Sequence, residues 1–171
     1  MNRGIWVEVE QSRKRMHEMI DQKFNDFILK MVCVDSTEYM GEGTSIKPLL
    51  SPASTFKGTK PVAVILPGQR KVEATTWQRA ALVILQDCDN DPERHEHMLV
   101  LRNRIGGNFR WLLSDKPQEL RAPLKINEGL YFEGKFDTEA LLQNLTKKLL
   151  EPVRYDYSEI AILLRVAETK Q

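Results

Sequence analysis

The run Pro61-Val62-Ala63-Val64-Ile65-Leu66 is followed at once by Pro67-Gly68. Short, apolar and rich in β-branched residues, it has the character of a strand, and the Pro-Gly dipeptide closes it with a turn. Lys71-Val72-Glu73 can then return as its hairpin partner. Any fold for this chain must accommodate that antiparallel corner.

Beyond the hairpin the pattern turns helical. Thr75 or Thr76 supplies an N-cap, and Trp77, Ala80, Ala81, Val83, Ile84 and Leu85 cover most of the first helix, which predicts deep burial. A second helix starts with Asp91 as N-cap, Pro92 at the first position and Glu93 in the first turn. Met98, Leu101 and Ile105 form its apolar stripe, and Gly106-Gly107 is placed to end it with a left-handed C-cap. Phe109 to Leu113 then reads as a strand. Leu124–Ile126 and Leu130–Phe132 are strand pieces around Asn127-Glu128-Gly129. Asp137 caps a helix with Ala140, Leu141, Leu145, Leu149 and Leu150 facing inward, and Pro152 closes it. Ile160, Ile162, Leu164 and Val166 alternate as a last strand, with a short helix capped by Ser158 as the rival reading.

This order lacks the regular alternation of βαβ units. It predicts an α+β fold: a small, mostly antiparallel sheet with three to four helices, on a plan that also fits a winged helix in the C-terminal two-thirds. Residues 61–171 form the main domain in this reading, and residues 1–60 an N-terminal extension. In the extension, residues 4–9 alternate like a strand. Met16, Met19, Ile20, Phe24, Phe27, Ile28, Met31 and Val32 give a helical stripe over 12–32, although 27–34 also fits a buried strand. Residues 35–60 show no sustained period and read as a long loop, with Ile46, Leu49 and Leu50 able to dock on a core.

Composition narrows the function classes. Among 171 residues, 25 basic side chains stand against 24 acidic ones, for a net charge of +1, so bulk charge does not suit a nucleic-acid coat. No apolar run approaches the ~20 residues of a membrane span. Cys33 and Cys88 are too few for a disulfide framework, and the N-terminus lacks the h-region of a signal peptide, so a cytoplasmic protein with reduced thiols is expected.

Nucleotide-binding, zinc-protease and serine-hydrolase signatures are absent, and no cofactor or metal is expected. His95 and His97 point about 200° apart on a helix and cannot chelate one ion together. Glu128, Glu133, Asp137 and Asp156, with Lys125 or Lys135, are the residues a metal-dependent hydrolase would have to gather.

Charge is locally uneven. Asp87, Asp89, Asp91, Glu93 and Glu96 surround Arg94, and a basic segment comes next. Its candidate contact residues are Arg102, Arg104, Gly106, Gly107, Asn108, Arg110, Arg121 and Lys125. Arginine pairs with phosphate through two N–H groups at once, glycine admits a close backbone approach, and Phe109 or Trp111 could stack on a base. The competing structural reading makes the glycines a helix cap and the aromatics core. Ser12-Arg13-Lys14-Arg15 is a second, smaller basic run. The leading expectation is a small non-catalytic binding protein, of the kind phages and mobile elements carry, contacting nucleic acid or a nucleoprotein complex. A protein-interaction module is the alternative, and a hydrolase the third.

Overall fold

A computed structural model describes Gln11 and residues 13–15, 43–107 and 110–165. The chain divides into two compact units, Met1–Gly41 and Glu42–Gln171. In the first, Gln11 and Arg13–Arg15 are helical and exposed. The strand expected at 4–9, the helix expected beyond Arg15, its rival strand at 27–34 and Cys33 lie outside the described residues.

In chain order, the second unit carries strands β1 (Thr44–Pro48), β2 (Lys60–Leu66) and β3 (Arg70–Glu73), then helices α1 (Trp77–Asp89) and α2 (Pro92–Leu101). Next come the short strands β4 (Gly106–Gly107), β5 (Arg110–Trp111) and β6 (Leu113–Ser114), then β7 (Pro123–Asn127) and β8 (Leu130–Glu133). Helix α3 (Thr138–Gln143) continues as a π-helix over Asn144–Leu150, and β9 (Ala161–Arg165) completes the set. The unit is α+β. One antiparallel sheet has the order β1-β9-β2-β3, a second has the order β6-β8-β7, and β4 pairs with β5.

The stretch read as a loop contains β1, which corrects that expectation. Thr44–Pro48 pairs with Arg165–Ala161, a partner more than a hundred positions away, so no local period announces it. Its proline sits at the end of an edge strand, where a missing N–H costs no ladder bond. Ile46 and Leu49 are buried as the docking patch required, whereas Leu50 is exposed.

The caps are those the sequence specifies. Thr76 Oγ1 accepts from Arg79 N at 3.1 Å, Asp91 Oδ1 from Arg94 N at 3.0 Å, and Asp137 Oδ1 from Ala140 N at 2.8 Å. Each satisfies one of the donors a helix start leaves open. The first sheet and α1 share one core, in which Trp77, Ile84, Leu85, Ile162 and Leu164 are buried with Leu141, Leu145 and Leu149 of the third helix. Trp77 also donates from Nε1 to Thr59 O at 3.0 Å and meets Phe56 edge to face. None of the described helices is long and apolar enough to cross a membrane.

Candidate nucleic-acid interface

The basic segment begins where α2 stops. Arg102 leaves helical geometry, and Asn103 takes the left-handed conformation at φ 56°. Asparagine tolerates that region better than other side-chain-bearing residues. Asn103 N donates to Leu113 O at 2.9 Å, which turns the chain toward the second sheet. The expected C-cap at Gly106 is therefore corrected: Asn103 makes the turn, and both glycines lie in β4, opposite Trp111 and Arg110 of β5. The single strand expected over 109–113 is likewise broken at Leu112. That buried residue donates to Ile105 O at 2.7 Å and accepts from Glu133 N at 2.9 Å, so the chain passes from one ladder to the other.

This routing separates the basic residues into two groups. Arg102 and Lys125 are used at the β7–β8 turn. Arg102 Nη1 donates to Gly129 O at 3.0 Å, and Gly129 holds the turn at φ 73°. Lys125 pairs with Glu128, whose carboxylate raises the lysine's pKa. Arg104 and Arg121 lie toward the other end of the same hairpin. Arg104 precedes Ile105, which bonds Leu112; Leu112 bonds Glu133; and the Glu133 carboxylate holds the backbone of Arg121. Both arginines are exposed, and neither guanidinium has a polar partner among the described residues. Arg110 stands opposite Gly107 on β5, and Asn108 lies outside the described residues.

The carboxylates nearby are occupied. Asp115 Oδ1 accepts from Asn103 Nδ2 at 2.9 Å, and that hydrogen bond above all holds its pKa below the ordinary carboxylate value. Glu119 accepts from Ser114 Oγ at 2.9 Å and lies 3.7 Å from Lys116 Nζ. The aspartates of the acidic turn are taken by other elements. Asp87 binds Arg70 and the Tyr155 hydroxyl, Asp91 caps α2, and Asp89 accepts from Asn127 while its Oδ1 lies 2.8 Å from His95 Nδ1. No ion pair joins the acidic turn to the basic segment among the described residues.

Trp111 completes the surface. It is 40% exposed, against 8% for Trp77, and its Nε1 has no partner among the described residues. Cross-strand partners in an antiparallel pair present the same face, and here the residue directly opposite is Gly106, which brings no side chain.

The four carboxylates a hydrolase would gather each have a separate local role. Glu133 is buried and accepts three backbone N–H bonds, Glu128 pairs with Lys125, Asp137 caps α3, and Asp156 accepts from Ser158 N at 2.9 Å. No group of three or more metal-ligating side chains forms among the described residues.

Sequence reasoning missed the polar joint between α1, α2 and the C-terminal segment. Arg94 lies 5.0 Å from the Tyr155 ring centroid, and burial, then Asp87, raises the tyrosine's pKa. Beside it, burial pushes the Cys88 thiol up to about 12. Asp87 and Tyr155 are 68 positions apart, too far for any spacing rule to connect. Comparison with protein-family models, curated proteins and solved structures finds no match to this chain.

Proposed function

We propose that the protein is a non-catalytic binding module that contacts nucleic acid, free or within a nucleoprotein complex, through residues 102–125. Arg104 and Arg121 are its phosphate contacts. The observation that carries this reading is that both are exposed and that neither guanidinium has a polar partner among the described residues. Asp115, Glu119 and the three aspartates of the acidic turn are each taken up by other residues, which leaves two exposed guanidinium groups without an ionic partner among the described residues. Guanidinium groups in that state suit bidentate phosphate pairing.

The test is salt-dependent binding of labelled oligonucleotides, monitored by anisotropy, for wild type and for Arg104→Glu with Arg121→Glu. Each phosphate contact removed should lower the slope of log K against log salt by about one unit. Absence of wild-type binding at the lowest salt overturns the reading. A protein partner is the second reading, favoured by Leu50, 41% exposed at the rim of a cavity of about 360 Å³ between the turn at 49–56 and the π-helix.

A further inference from the structure

We infer that the ligand of this surface is single-stranded nucleic acid, held by stacking of an unpaired base on Trp111. The inference rests on the proposed nucleic-acid function and narrows it to one class of nucleic acid.

An indole has one N–H donor and no acceptor, so it is poorly equipped to read base edges, which require donor–acceptor patterns. Its large π-face instead stacks on any base. In a duplex both faces of every internal base are already stacked on neighbours. An unpaired base has a free face, and extruding one from a duplex costs a few kcal/mol.

The position of Trp111 suits that use. Trp111 is 40% exposed on β5, and the residue directly opposite it, Gly106, brings no side chain. Arg104 and Arg121 lie on either side of the strand segment just after Trp111. Arg104 adjoins Ile105, which bonds Leu112, and Arg121 is held by Glu133, which bonds Leu112 from the other side. A nucleic-acid backbone crossing the chain at Leu112, the residue after Trp111, therefore passes between the segments that carry these two arginines. Trp77 is unlike Trp111 in both respects, because its indole is buried against Phe56 and its N–H is used inside the fold.

The experiment uses the full chain with a labelled oligothymidylate, an oligouridylate, a mixed-sequence single strand and the duplex formed by that strand with its complement, all at one low salt concentration. Each single strand is expected to bind at least about tenfold tighter than the duplex. Trp111→Ala should weaken single-strand binding by roughly 5- to 150-fold while leaving the salt slope unchanged, because stacking releases no counterions. Wild type is expected to show tryptophan quenching on binding, and Trp111→Phe should retain most of the affinity but lose that quenching. Duplex binding equal to single-strand binding, or an unaffected Trp111→Ala variant with native circular dichroism, overturns this inference and leaves the broader reading standing. Failure of wild type to bind either form overturns both.

Discussion

Glu133 provides the sharpest test of the fold around this surface. Its side chain is 2% exposed, and both oxygens are engaged: Oε2 accepts from Arg121 N at 2.7 Å, and Oε1 from Ala122 N at 3.0 Å and Lys135 N at 2.8 Å. Three backbone donors therefore depend on one carboxylate. Glu133→Ala leaves all three without an acceptor, and a stranded donor costs ~1–3 kcal/mol, so the sum is on the order of 3–9 kcal/mol. Against a typical net stability of ~5–15 kcal/mol, that variant stands near unfolding. Glu133→Gln is the discriminating change. It keeps the shape and one acceptor oxygen but turns an NH₂ group toward at least one backbone N–H, which should cost ~1–3 kcal/mol. With a urea slope of ~2 kcal/mol/M, the unfolding midpoint should fall by roughly 0.5–1.5 M at constant slope. Circular dichroism at fixed pH and salt reads it directly. A Gln variant within ~0.5 kcal/mol of wild type refutes the carboxylate's role in holding this loop.

Leu141 is fully buried in the shared core, so Leu141→Ala should cost ~2–5 kcal/mol in the same urea assay, and a negligible loss would contradict the packing. At Gly134 an added Cβ would lie 2.9 Å from Leu124 Cγ and Cδ1 and 3.0 Å from Ala122 O, so Gly134→Ala should destabilise by ~1–3 kcal/mol. Burial pushes the Cys88 thiol up from 9.0 and the Tyr157 hydroxyl up from 10.0, each to about 12. The unfolded chain therefore releases these protons first, and stability should be level below about pH 9 and decline from there toward about pH 12. Urea midpoints at several alkaline pH values measure this, and a midpoint unchanged up to about pH 11 counts against it. Peptide mapping after iodoacetamide treatment of the native protein at about pH 8 should find Cys88 unmodified.

The sequence was most legible where its signals were local. Thr76, Asp91 and Asp137 cap helices because an N-cap is defined by residues three apart, and the hairpins at 60–73 and 123–133 arise from turn dipeptides and short apolar runs. It was least legible where the partner was remote. Strand β1 exists only because β9 pairs with it, and Asn103 displaced Gly106 as the turning residue because its backbone N–H found Leu113 O on a later strand. Continuation of α3 as a π-helix also left no mark in the apolar spacing, since Leu145, Leu149 and Leu150 stay buried either way. For the surface itself, residue types pointed to a chemistry but not to its division. Only the routing through Leu112 and Glu133 distinguishes Arg104 and Arg121 from Arg102 and Lys125, which are both engaged at the β7–β8 turn.

Strand β9 lies between β1 and β2, so one of the first sheet's two interior strands is contributed last. On the ribosome, β1 and β2 emerge with nothing to join them, and their ladder-forming edges stay open until residues 161–165 arrive. Such late closure gives the fold a high contact order, which slows folding and lengthens the time that Val64, Ile65 and Ile46 spend in water. Nascent chains stalled upstream of Ala161 should therefore be the aggregation-prone and protease-sensitive species of this protein, whereas the hairpins at 60–73 and 123–133 can pair soon after they are synthesised.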